Sequence, residues 1–358
     1  MTLETPNTTN FPSDVTEYTA PLPVPDLPSK ILMDLQEGYC NLKCPKCLVH
    51  GSDDIEAIKA IRGYMSLEDA RKILDEVMVA NPLVQPTLWS EPLLARDFRQ
   101  HITDMKERGI AVALNTNGLL LTEEIAQFFV DIKLDSLFIS IDATSQETLK
   151  KVRGVDKLEQ IQEAVFRMLR VRGDATYPRI GVSFAFEKEN QHEHDEFVSY
   201  WVKYVDVVRV NQVYEGGRWQ RIPMPENRVP CQALYHTMAI HHDGDVSVCC
   251  LDGFKETNLG NVVKEGVKSV WLGEEFQKVR HYHETGQYDR IPFCKNCNVW
   301  ANYIYEEEIQ ANLLIRRSPG MTYYNSIERL SGWEGGLLGG HAPQFRNGLL
   351  EAKVPSAD

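Results

Sequence analysis

The sequence predicts an α/β protein built on a parallel sheet, and three observations carry that expectation. Six short apolar runs, near residues 31–36, 86–89, 111–115, 136–141, 180–186 and 206–213, have the length and composition of buried strands. Stretches of helical periodicity lie between them, and strands alternating with helices make parallel crossovers. The chain is 358 residues long and 43% hydrophobic, enough to bury one large domain and a small one. Alternation alone fits a doubly wound sheet as well as a partial barrel.

Residues 1–29 hold six prolines (Pro6, Pro12, Pro21, Pro23, Pro25 and Pro28) and read as an extended or disordered arm. From Lys30 to Glu215 the alternation is continuous. One helix starts at Ser66, an N-cap with Asp69 three residues on, and sets Leu67, Ala70, Ile73, Leu74 and Val77 on one face. Another runs from about Asp156 with Leu158, Ile161, Val165, Met168 and Leu169 as its stripe. Residues 216–230 read as a linker, and 231–300 as a second domain of short patches. A helical tail is expected over 301–316, followed by a glycine-rich end (Gly332, Gly335, Gly336, Gly339 and Gly340) that closes a 301–358 segment.

The chain carries a net charge of −13, which repels polyanions and argues against nucleic acid or an anionic membrane as partner. No apolar run approaches the ~18 residues of a membrane span, and no secretory signal pattern opens the chain. A cytoplasmic location is expected, where thiols stay reduced. The eight cysteines fall in two groups: Cys40, Cys44 and Cys47, then Cys231, Cys249, Cys250, Cys294 and Cys297. Clustered cysteines in a reducing compartment point to metal ligation or redox chemistry.

Cys40-Asn-Leu-Lys-Cys44-Pro-Lys-Cys47 follows the first strand, and ligands gather at the carboxyl ends of parallel strands. Three thiolates hold three corners of a 4Fe–4S cube and leave one iron open unless a fourth ligand is recruited. Structural zinc completed by His50 is the alternative on spacing alone. The Cys-x3-Cys-x2-Cys loop resembles the signature of the radical S-adenosylmethionine (SAM) superfamily. That resemblance implies a partial (β/α)6 TIM-type barrel, SAM chelated by the open iron, and one-electron cleavage to a 5′-deoxyadenosyl radical. It also implies a one-electron donor such as flavodoxin or ferredoxin. Thr87-Leu-Trp-Ser-Glu-Pro-Leu-Leu94 resembles the family's second-strand element, which assigns Ser90 and Glu91 to SAM. Asn115-Thr-Asn-Gly118, with Asn115 and Asn117, and then Ser140 and Arg153, match further SAM-contacting positions in register. Two features depart from the family: Lys46 stands where an aromatic residue is common, and Trp89 and Ser90 replace two glycines.

Cys231, Gly244, Cys249 and the Cys294-Lys-Asn-Cys297 pair resemble the SPASM/twitch extension, which implies an auxiliary 4Fe–4S cluster on Cys231, Cys249, Cys294 and Cys297. Four thiolates complete such a cluster, although they also fit zinc. Cys250 is left over. If the segment is extended, adjacent side chains alternate, so Cys250 faces away from Cys249 and is free to return a hydrogen atom to a substrate radical. Some radical SAM epimerases use a cysteine in this way, so the resemblance implies an epimerase with Cys250 as its catalytic donor, and the likeness to twitch-type relatives implies a small sugar- or aminocyclitol-like natural-product intermediate as substrate. Dehydrogenation through the auxiliary cluster, peptide modification, and a zinc-stabilised binding module are the competing readings. His192, His194, Asp195, Tyr214 and Glu215 are polar candidates at the barrel mouth.

Overall fold

The computed structural model describes residues 23–215, 218–219, 228–303 and 306–329. The first 22 residues of the proline-rich arm, most of the linker and the glycine-rich end lie outside them.

Six parallel strands form the centre: β1 (Lys30–Met33), β2 (Leu83–Gln85), β3 (Ala111–Thr116), β4 (Ser136–Ser140), β5 (Arg179–Phe186) and β6 (Val207–Gln212). Helices fill every crossover between them: α1 (Leu67–Val77), α2 (Phe98–Glu107), α3 (Glu123–Asp131), α4 (Gln146–Arg153), α5 (Leu158–Arg172) and α6 (His194–Trp201). Sequential parallel strands with helical crossovers make the partial (β/α)6 barrel. The second strand lies earlier than the apolar run at 86–89 indicated. Pro86 has no N–H to continue the ladder, so residues 86–91 become the loop leaving the strand's carboxyl end.

Local chemistry explains the helix ends. The Ser66 hydroxyl accepts from Asp69 N, and α1 then buries Ala70, Ile73, Leu74 and Val77. Thr122 and Ser145 cap α3 and α4 in the same way. α4 and α5 both stop at glycines with positive φ, Gly154 (71°) and Gly173 (52°), a conformation costly for other residues.

Strand alternation sorts the side chains into two populations. Ile31, Met33, Val84, Val112, Leu114, Leu137, Ile139, Ile180, Val182, Val208 and Val210 face the helices in the main core. Each full burial of such a side chain contributes about 1.5–3 kcal/mol. The intervening positions face the barrel interior. There Lys30, Gln85, Asn115, Ser140, Arg209 and Asn211 remain partly exposed, so this lumen is open and polar where a closed barrel is packed with aliphatic side chains.

Later segments finish both edges of the sheet. β7 (Thr237–Ile240) pairs parallel to β1 over Lys30↔Thr237 to Met33↔Ile240, and β8 (Val246–Ser247) pairs antiparallel to β7. A buried network ties this edge to the barrel: Glu37 bonds both His241 and His242, and His241 bonds Ser247. At the other edge the expected helix over 301–316 is replaced by strands. β9 (Glu306–Gln310), β10 (Leu313–Ser318) and β11 (Met321–Ser326) form a meander, and β11 pairs antiparallel to β6. Ala311 and Asn312, both at positive φ, close the first hairpin. Pairing with the open edge outweighs the helix propensity of Glu306–Glu308. The longest of the helices between the two edge segments in sequence is α7 (Glu274–Glu284).

Candidate functional site

The loop that leaves β1 is shaped around its three cysteines. Cys47 N donates to Cys44 O at 2.9 Å and Gly51 N to Cys47 O at 3.0 Å, folding 44–51 into consecutive tight turns. Leu42 N points at Cys40 Sγ (3.4 Å) and His50 N at Cys47 Sγ (3.3 Å), contacts that stabilise sulfur in its anionic form. Burial pushes the Cys40 thiol up to about 12 and the Cys44 thiol upward as well. Buried thiols at these values ionise when a metal takes the proton's place.

Around this loop the structure gathers several expected residues. Glu91 is buried and fully engaged: it accepts from Thr116 Oγ1 (2.6 Å), Asn117 N (2.8 Å) and Leu93 N (3.3 Å). Burial raises its pKa, and the Asn117 and Thr116 bonds draw it back. Asn117 reaches Asn41 of the cysteine loop at 2.6 Å. Arg153 is buried within the electrostatic reach of Cys44 and Cys40, but its Nε is held by Asp142 Oδ2 at 2.7 Å. Asp142, at φ 70°, also accepts from Ala185 N, so it locks the ends of β4 and β5 together. In the sequence this aspartate ends the Ser140-Ile-Asp142 motif that, with Arg153, resembles the family's ribose- and carboxylate-contacting positions, but nothing there singled it out as the partner of Arg153. Ser90 lies half-buried in the same loop, its carbonyl bonded by Thr87. Asn115 and Ser140 face the lumen instead, bonded to Arg209 and Ser183.

The mouth candidates do not converge. His194 is buried against Phe184 and Phe186 and bonded to Asp195, while His192 is largely exposed. Glu215 pairs with Lys46 at 2.7 Å, which gives the departing Lys46 a role in holding the cysteine loop against the end of β6. Tyr214 sits among the second cysteine group, where burial and the thiols raise its pKa.

That second group lines a partly enclosed, almost wholly apolar cavity of about 70 Å³. Cys231, Cys249, Cys250, Cys294 and Cys297 all contribute to its wall, with Leu234, Phe293, Trp300 and Tyr303 around them. Cys250 is therefore not on a separate face. The strand ends at Ser247, and 248–250 turn, so the alternation that was to separate Cys249 from Cys250 does not hold. Burial raises the thiols of Cys231, Cys249, Cys250, Cys294 and Cys297, Cys294 to about 12. Arg228 donates to Cys294 O (2.7 Å) and Val299 N to Cys297 Sγ (3.3 Å). Trp89, on the loop after β2, reaches the second group: its indole N–H donates to the Cys250 carbonyl at 2.8 Å.

Zinc–sulfur bonds of about 2.3 Å force ligand sulfurs within about 4.6 Å of one another. Among the described residues, the one set of three ligating side chains with donors inside 4.8 Å is Asp34, Glu37 and His241, not the thiols. A cluster presents a different iron to each cysteine and does not require sulfurs so close.

A partial barrel with one three-cysteine loop and one buried cysteine cavity defines an iron–sulfur enzyme of the α/β-barrel class. The radical SAM superfamily model matches residues 38–200 and an iron–sulfur cluster-binding domain, SPASM, matches 231–298. The chain belongs to the radical SAM superfamily, and its cofactors are SAM, a SAM-binding 4Fe–4S cluster and an auxiliary 4Fe–4S cluster. A tungsten-containing aldehyde ferredoxin oxidoreductase cofactor-modifying protein of Pyrococcus furiosus is 24% identical over 311 residues, 73% of this chain and 85% of that one. Of several further curated relatives, probable GTP 3′,8-cyclases among them, the chain spans about half the length. Among solved structures, Streptococcus suis SuiB bound to S-adenosylmethionine is similar with a TM-score of 0.59 at 16% identity, over 72% of this chain and 68% of that one. The anSMEcpe structure with bound AdoMet gives 0.59 at 15%, over 77% and 87%. At such identities these structures establish the shared fold.

Proposed function

We propose that the chain is a radical SAM oxidoreductase that dehydrogenates a small polyhydroxylated substrate in the barrel lumen, with the auxiliary cluster as electron acceptor. In this reading Cys40, Cys44 and Cys47 hold the SAM cluster, and Cys231, Cys249, Cys294 and Cys297 hold the auxiliary one. Bound there, the first cluster and SAM supply a 5′-deoxyadenosyl radical that removes one hydrogen atom from a substrate carbon. Asn115, Ser140, Ser183 and Gln85 offer neutral hydrogen bonds to hydroxyl groups along the lumen. Glu91, through Thr116 and Asn117, fixes the loop carrying Ser90 beside the cysteine loop, and Arg153 with Asp142 closes its other side. Held by Cys231, Cys249, Cys294 and Cys297, the auxiliary cluster would supply a one-electron acceptor, and water in the open lumen would take the proton released from the substrate. The product is two hydrogens poorer, and the electron spent on SAM is regained. A flavodoxin- or ferredoxin-type donor in the cytoplasm supplies the first electron.

The Trp89–Cys250 hydrogen bond carries the choice of oxidation, because it joins the SAM-side loop directly to the wall of the auxiliary cavity. One observation favours the second reading, epimerisation: five thiols line a cavity whose cluster needs four. Reconstituted protein should hold about eight irons and form 5′-deoxyadenosine from SAM under reduction. Cys249→Ala should lose about half the iron and Cys250→Ala none. A product of unchanged mass carrying solvent deuterium, absent in Cys250→Ala, would replace the oxidative reading with the epimerase one.

A further inference from the structure

Several cations withdrawn from water in this protein come with a carboxylate, while Arg280 bonds the Leu234 and Trp271 carbonyls instead. Arg153 pairs with Asp142 at 2.7 Å, Arg172 with Asp206, and Lys106 with Asp135. Unpaired charge inside a fold is costly, and with 51 acidic residues against 38 basic ones partners are plentiful. Arg209 departs from the pattern. Strand alternation turns it into the lumen between Val208 and Val210, which face the helices. Its Nη2 donates to the neutral Asn115 Oδ1 at 3.0 Å, its guanidinium lies 4.4 Å from the centre of the Phe138 ring, and its Nε is buried without a partner.

A second cation shares this space. Lys30 faces the lumen from the first position of β1. Burial pushes its pKa down, the nearby Cys250 thiol counters that, and the charge of Arg209 adds to the downward push. Both side chains face the same lumen, where their like charges oppose each other. Among the described residues no carboxylate pairs with either of them. The polar groups on neighbouring strands, Asn115, Ser140, Ser183 and Asn211, are all neutral.

We propose that Arg209 and Lys30 form an anion-binding site in the lumen and that the substrate carries a carboxylate or phosphate group held there. The assignment rests on the reading of the lumen as the substrate chamber. Two unpaired cations recognise an anion and repel an ammonium group, so a hydroxylated acid fits and a polyamino sugar does not. The planar Arg209 fork suits the two oxygens of such a group, and the ring beneath it holds the fork in place.

SAM also carries a carboxylate, and the test separates the two sources. Reconstituted wild-type protein, saturated with SAM under anaerobic conditions, is titrated calorimetrically with inorganic phosphate and with malonate. At least one anion should bind saturably at one equivalent. Arg209→Gln and Lys30→Gln should each weaken it about ten- to hundredfold, and Arg209→Glu should abolish it, while the SAM dissociation constant changes less than about twofold. Lys30→Gln keeps the test open if the Arg209 variants fold poorly. The proposal is overturned if neither anion binds saturably, if both glutamine variants bind as wild type does, or if anion and SAM affinity fall together, which would mean the site holds the SAM carboxylate. Wild-type 5′-deoxyadenosine formation without anion binding removes only this inference. Its absence removes the enzymatic reading as well.

Discussion

Replacing Gly51 by alanine should empty the first cluster site and spare the second. A Cβ on Gly51 would stand 2.6 Å from the Cys44 carbonyl oxygen, 2.7 Å from that of Cys47 and 2.8 Å from that of Pro45. Carbon and oxygen in close contact sit at about 3.3 Å, so each carbonyl has to retreat by about 0.5–0.7 Å. All three are backbone atoms of the cysteine loop, and no flexible side chain can yield in their place. Two of them accept the bonds that fold the loop, from Cys47 N and Gly51 N. Overpacking of this kind costs about 1–3 kcal/mol, and two weakened backbone bonds add about 1 kcal/mol each. A total of about 3–5 kcal/mol shifts the loop's equilibrium by more than a hundredfold. Iron and sulfide analysis of anaerobically reconstituted protein reads the effect, with about four irons expected in place of eight and no 5′-deoxyadenosine formed. Gly109→Ala is the control: it strains the backbone at φ 72° but its Cβ meets nothing within 4 Å, so it should cost some stability and no iron. Gly51→Ala with full iron and normal SAM cleavage would refute the claim that the carbonyl cradle shapes the cluster loop.

Three other outcomes are expected. Trp89→Phe removes the donor to the Cys250 carbonyl and should lower stability of the reconstituted protein by about 1–2 kcal/mol in chemical denaturation; a change within about 0.3 kcal/mol would mean the indole is no tie between the centres. Burial pushes the Glu187 carboxyl up to about 8, with Glu189 adding to the push. Its protonated form is thus favoured in the fold, and stability falls as pH climbs from the ordinary carboxylate range towards that value. Glu187→Gln should raise the thermal midpoint at pH 9 and leave it unchanged at pH 5, and equal shifts at both would defeat the argument. Burial alone would raise Glu37, but its bonds to His241 and His242 win and bring it down to about 2. The stability it contributes is complete above its ordinary value near 4.5 and is lost as pH falls towards 2. Glu37→Gln should flatten that acid limb, which circular dichroism across the range would show.

Residues whose role depends on short spacing were legible before any coordinates. The Cys40–Cys47 loop and the Cys294–Cys297 pair announce themselves because thiols gain nothing from proximity except a shared metal. Five of the six strands were visible as apolar runs, the second being placed past its end at Pro86, and Ser66 was visible as a cap. What sequence hid depended on partners distant in the chain. The segment after Glu306 pairs with β6, about a hundred residues away, and its turn at Ala311–Asn312 lacks the glycine that usually marks a hairpin. Cys249 and Cys250 were separated by an alternation that ends two residues too early, at Ser247. Arg209 was read as part of a buried run; the signal that places it in the lumen is the polar residue at every second position of Val207–Gln212, beginning with Arg209 and continuing at Asn211. Arg153 carried a plausible role by register, yet only the fold reveals that Asp142 already occupies it.

The way β7 and β11 flank the central strands bears on how this enzyme can be cut or recombined. Stopping the chain at residue 230 would strip hydrogen-bonding partners from β1 on one side and β6 on the other. Two naked strand rims invite self-association, so a shortened version should precipitate before it could be assayed. Exchanging the C-terminal half with that of a relative would likewise succeed only where the donor's two strands match both rims in length and register. The barrel and the cluster-binding C-terminal part thus travel as one inheritable unit.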